Sequence, residues 1–138
     1  GDPKDIHPKN KQDVGKRLSL WALGTVYKKS VSAVSGPLPI DSTVQGETIV
    51  VSFNHASGGL RSMTGKRLAG FQIAAADRHW RDAEATIEGE TVVIRNAEIR
   101  HPVAARYAWK DLPEISLTNA AGLPATPFRT DDWPTTKK

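Results

Sequence analysis

A chain of 138 residues is long enough for one hydrophobic core plus an appendage, but short for two full domains. It is 38% hydrophobic and 25% charged with four tryptophans, the composition of a chain that folds rather than one that stays disordered. The absence of cysteine excludes disulfides, thiolate metal sites and cysteine nucleophiles, and no apolar run approaches the roughly 20 residues of a membrane-spanning helix. No signal-peptide pattern stands at the start, and the compartment is not readable from these residues.

From Lys9 to Lys29 the apolar residues Val14, Leu18, Trp21, Ala22 and Val26 recur at helical spacing between charged ones, which predicts one amphipathic helix. Asn10 is suited to cap it, with Asp13 three positions on, and Lys28 and Lys29 complement the dipole at its end. This first segment also holds most of the basic excess behind the net charge of +4, while the middle of the chain alternates signs. A solvated helix surface accounts for that placement, and neither nucleic acid nor a membrane is expected as a partner. Residues 30–39, rich in serine, glycine and proline, read as a linker.

After Pro39 the pattern changes to short β-type runs between turn residues: Ile40–Val44, Thr48–Phe53, Gly70–Ala75, Trp80–Ile87, Thr91–Arg95, Val103–Trp109 and Ile115–Thr118. The expected fold is mainly β, an antiparallel sandwich of about seven short strands preceded by one N-terminal amphipathic helix. One internal echo sets residues 44–51 against residues 87–94, each with Gly-Glu-Thr before a β-branched run. Two hairpins with the same turn chemistry explain it.

The candidate chemistry lies before the helix, in Asp2-Pro3-Lys4-Asp5-Ile6-His7-Pro8. Imidazole titrates near neutrality, so a histidine in this setting can take a proton from a serine hydroxyl and return it to a leaving alcohol. A carboxylate on its other nitrogen fixes the tautomer and stabilises the imidazolium. An isolated Asp-x-His is a common accident, and a histidine preceding a helix for structural reasons alone is the simpler account of the motif by itself.

The longer match changes the weighting. Asp5-Ile6-His7-Pro8-Lys9-Asn10-Lys11-Gln12, followed by Val14-Gly15-Lys16-Arg17-Leu18, resembles the last sequence block of the sialate O-acetylesterases. Phe53-Asn54-His55-Ala56, Gly58-Gly59-Leu60, Gly70-Phe71, Arg106-Tyr107-Ala108-Trp109, Gly122-Leu123-Pro124-Ala125 and Pro127-Phe128-Arg129-Thr130-Asp131 resemble that family's C-terminal signature, in order. The resemblance implies an SGNH-type hydrolase of three-layer α/β fold that removes acetyl groups from O-acetylated sialic acids or related sugars. It also implies His7 as general base, no cofactor and a secreted or periplasmic setting.

The family's nucleophilic serine and oxyanion-hole residues belong to blocks absent from this chain. Its usual aspartate three residues before the histidine is Lys4 here, so the orienting acid is Asp5, Asp2 or a residue upstream. The expectation is a C-terminal fragment, with Gly1 a cloning remnant. On that reading residues 1–29 close an absent hydrolase domain, 30–39 link and 40–138 form a β-sandwich accessory domain. The isolated chain is then inactive, with the upstream domain as partner and a bare helix face able to form a homodimer.

The other class is a non-catalytic sandwich that binds carbohydrate or stabilises a neighbour. Trp80, Trp109, Trp133, Tyr107 and Phe128 are either a sugar-stacking platform or core. Arg129, Asp131 and Asp132 read as ion pairs tying the tail down. His55, His79 and His101 with His7 fit no compact zinc spacing, and no metal is expected.

Overall fold

The computed structural model describes residue 7, residues 9–56 and residues 58–134. Helix α1, Gln12–Trp21, starts where Asn10 caps it: the Asp13 amide donates to Asn10 Oδ1 at 3.2 Å, and Asn10 Nδ2 donates to Asp13 Oδ2 at 2.7 Å. The helix then widens into one π turn, Ala22–Val26, closed by the Tyr27 amide on the Ala22 carbonyl at 3.0 Å. Lys28, expected inside the helix, takes φ 52° just past its end, and the Lys29 amide bonds the Leu23 carbonyl at 2.8 Å. That is an αL stop made without the usual glycine, its closing bond one residue longer than the usual six-to-one because the turn before it is a π turn, so both lysines lie beyond the helix. Gly24 brings this end against the following segment, where a Cβ would fall 2.1 Å from Val34 Cγ1.

Ten strands follow among the described residues: β1 Leu38–Gln45, β2 Thr48–Asn54, β3 Leu60–Ser62, β4 Phe71–Ala74, β5 Arg81–Asp82, β6 Glu84–Glu88, β7 Thr91–Arg95, β8 Ala104–Tyr107, β9 Leu117–Asn119 and β10 Phe128–Arg129. All pair antiparallel, in sheets ordered β1-β2-β7-β6 and β10-β8-β4-β5 with a small β3-β9 ladder. The first sheet consists of the two echoed hairpins. Gly46 and Gly89 open two-residue turns with φ 59° and 63°, which suit glycine, and Thr48 and Thr91 donate their hydroxyls to the Gln45 and Glu88 carbonyls. Ile49 faces Ile94 and Val51 faces Val92, so the two hairpins are related by a local two-fold through Val50 and Val93, the equivalent residues that pair with each other.

Alternation along β2 and β7 buries Ile49, Val51, Phe53, Val92 and Ile94, which meet Phe71, Ile73, Tyr107 and Phe128 from the second sheet. The Phe53 and Phe128 rings lie 5.7 Å apart at an edge, and Phe71 and Tyr107 lie 4.5 Å apart. The Tyr107 hydroxyl accepts from the Ser116 and Leu117 amides at 2.9 and 3.0 Å inside this core. Asn119, also buried, donates to the Ser35 and His55 carbonyls and accepts from the Leu123 amide, tying the segment after the helix to the sandwich.

Two strand expectations change. The single run Trp80–Ile87 divides at Ala83, with β5 in the second sheet and β6 in the first. β3 and β10 arise where three and two residues are too few for alternation to show.

Candidate functional site

His7 lies exposed, five positions before the first helical residue. Asp2 and Asp5, the acids expected to orient it, lie outside the described residues. The helix that follows leaves Leu18, Trp21 and Val26 with 68%, 46% and 69% exposure, so its apolar stripe is largely bare. It touches the sandwich through the Trp21 ring edge on His55, centroids 6.1 Å apart.

On the sandwich the aromatic residues divide. Tyr107 and Phe128 are core, whereas Trp80, Trp109 and Trp133 gather on the outer face of the second sheet, around a cleft of about 930 Å³. One rung of that sheet explains it. Asp82, Gln72, Arg106 and Arg129 are successive cross-strand partners on β5, β4, β8 and β10. Gln72 Nε2 donates to Asp82 Oδ1 at 2.9 Å and Arg106 Nε donates to Gln72 Oε1 at 2.9 Å. The guanidinium of Arg106 then stacks 4.1 Å over Trp80, Arg129 lies 5.7 Å over Trp109, and Arg78 lies 5.3 Å over Trp133.

Beneath the arginines sits Asp131, its side chain only 4% exposed. Its Oδ1 accepts the Trp133 amide at 3.0 Å and lies 3.8 Å from Arg129 Nη1, while its buried Oδ2 has no hydrogen-bond partner. Burial pushes the Arg106 pKa down from its ordinary value, and the Asp131 charge opposes that shift. The ion-pair reading of Arg129 and Asp131 therefore holds, and the Thr130 amide and hydroxyl fasten the same tail to Ala105. Asp132 is exposed. Sequence reasoning grouped these tryptophans but missed the arginine on each face; the signal was Arg106-x-x-Trp109, in which β8 sends Arg106 outward.

A second opening, about 1290 Å³, is lined in part by groups that neutralise one another. Glu84 bonds Arg67 and lies 3.0 Å from Arg95, and these partners, Arg67 first, hold its carboxyl below the usual range. Arg81 lies 3.5 Å from Glu98. Among the described residues, no group of three or more histidines and carboxylates is placed to hold a metal ion, and the histidines at 55, 79 and 101 are not brought together.

The chain is similar to a carbohydrate acetylesterase from Xanthomonas citri. That crystal structure superposes with a TM-score of 0.91 at 39% identity, over 96% of this chain and 31% of the other. The present chain thus spans about a third of the length of the protein it matches. No protein-family model and no curated protein matches it.

Proposed function

We propose that this chain is the C-terminal part of a carbohydrate acetylesterase, supplying the general base and an accessory sandwich to a hydrolase domain that lies upstream. The observation that carries this reading is the match at 39% identity, over 96% of the chain, to a protein described as a carbohydrate acetylesterase. Residues 1–29 complete the hydrolase domain, and the link that follows is shorter than the sequence suggested, since the sandwich starts with β1 at Leu38 and not at residue 40. The block around Asp5-Ile6-His7-Pro8 supports O-acetylated sialic acids or related acetylated sugars as the substrate.

In this scheme the His7 imidazole accepts the proton of an upstream serine as its oxygen attacks the acetyl carbonyl, then gives it to the departing sugar oxygen. Water releases acetate from the acyl-enzyme by the same relay. Asp5 or Asp2 orients the ring. The test is acetate release from acetylated sialic acid and from an aryl acetate. The longer protein is expected to turn both over and the 138-residue chain neither. Turnover by the chain alone means a nucleophile among these residues and overturns the scheme.

The bare stripe of Val14, Leu18, Trp21 and Val26 fits the same proposal, because the upstream domain is what would cover it. Alone, the chain is expected to self-associate through that stripe. Light scattering should then give a lower mass for Trp21→Glu, whose unchanged mass and melting point would count against this use of the helix.

A further inference from the structure

We propose that the outer face of the second sheet is a binding site for a carboxylate-bearing sugar. The inference concerns the sandwich and not His7; an acidic sugar is also a substrate class proposed above, and binding to the chain without any turnover tests this site apart from that reading.

Two features point to a ligand. Arg106 and Arg129 are direct cross-strand partners, a like-charge pairing that destabilises a sheet unless something compensates it. The compensation present is partial: Asp131 reaches Arg129 only at 3.8 Å, and although Lys110 has Asp82 at 3.9 Å, the three arginines Arg78, Arg106 and Arg129 line the cleft against the carboxylates Asp111 and Asp131. In the other opening Arg67 and Arg95 share Glu84, and Arg81 lies beside Glu98. A bound carboxylate bridging the two guanidinium groups removes the repulsion through charge-assisted, fork-shaped hydrogen bonds.

The tryptophans select the rest of the ligand. Trp80 and Trp133 lie 5.4 Å apart at 54°, and Trp109 is 41% exposed beside them. Trp109, the one exposed indole of the three, suits the apolar face of a pyranose, while the guanidinium donors and the exposed Asp111 carboxylate suit its hydroxyls. A nucleic acid fits less well. Trp80 and Trp133 pack on each other instead of standing apart for successive bases, and Asp111 and Asp131 repel phosphates.

The experiment is calorimetric titration of the chain with trigalacturonate, with its neutral methyl ester, and with a thymidine oligonucleotide. Trigalacturonate is expected to bind, and the ester at least about tenfold more weakly, the size of one lost charge-assisted contact. Arg106→Gln and Arg129→Gln should each abolish most of that preference, and Trp109→Ala should weaken both sugars alike. Unchanged thermal melting certifies each variant; because Trp109 is half exposed, its variant keeps the test open if an arginine variant unfolds. Equal binding of acid and ester, tighter binding of the oligonucleotide, or no binding of trigalacturonate each overturns the proposal.

Discussion

In the protein that carries the upstream domain, His7→Ala is expected to lower turnover of an acetylated sugar by on the order of 10⁴ to 10⁶, the loss seen when a hydrolase triad loses its base. The drop should fall on kcat. In the proposed role the imidazole moves a proton in the transition state and adds little to binding of the ground state, so KM should stay nearly constant. His7 lies outside the sandwich core, so the sandwich should stay folded in the variant. Acetate release and thermal melting of the two proteins side by side read both quantities. A fall of less than about tenfold would remove His7 from the relay, since even ordinary general-base catalysis is worth more.

Tyr107→Phe is expected to destabilise the sandwich by about 2–4 kcal/mol, because one oxygen serves two buried amides. The Ser116 and Leu117 N–H groups both point at the Tyr107 hydroxyl, and Leu117 and Tyr107 are fully buried. Phenylalanine keeps the ring stack on Phe71 and leaves both donors dry, so packing is preserved and only hydrogen bonding is lost. In a domain with roughly 5–15 kcal/mol of total stability, that is a large share. Urea melts should show a lower midpoint with an unchanged slope, the pattern of lost stability without a change in the surface exposed on unfolding. A shift below about 0.5 kcal/mol would mean that water or a repacked turn satisfies the amides.

The hairpins were legible because glycine in Gly46-Glu47 and Gly89-Glu90 marks the turns and the β-branched runs behind them mark the strands. The helix start was legible through Asn10 and Asp13, whose hydrogen bonds are local. Its end was not, since Lys28 adopts φ 52° with no residue-type signal for it. The break at Ala83 was hidden because a run passing between sheets keeps the alternation of one strand. At the candidate sites, composition identified the tryptophans, but the row Asp82, Gln72, Arg106 and Arg129 depends on register between four strands far apart in sequence. The division of aromatics into core and cleft follows from that register, and no local pattern carries it.

The strand that changes sheets has a mechanical side. Ala83 donates its amide to the Phe71 carbonyl at 2.9 Å and packs against the core, while the residues on either side belong to opposite layers. Sliding one layer over the other would have to break that bond and drag β5 or β6 out of its ladder, since a single covalent step spans the gap. The two layers are therefore riveted at this point.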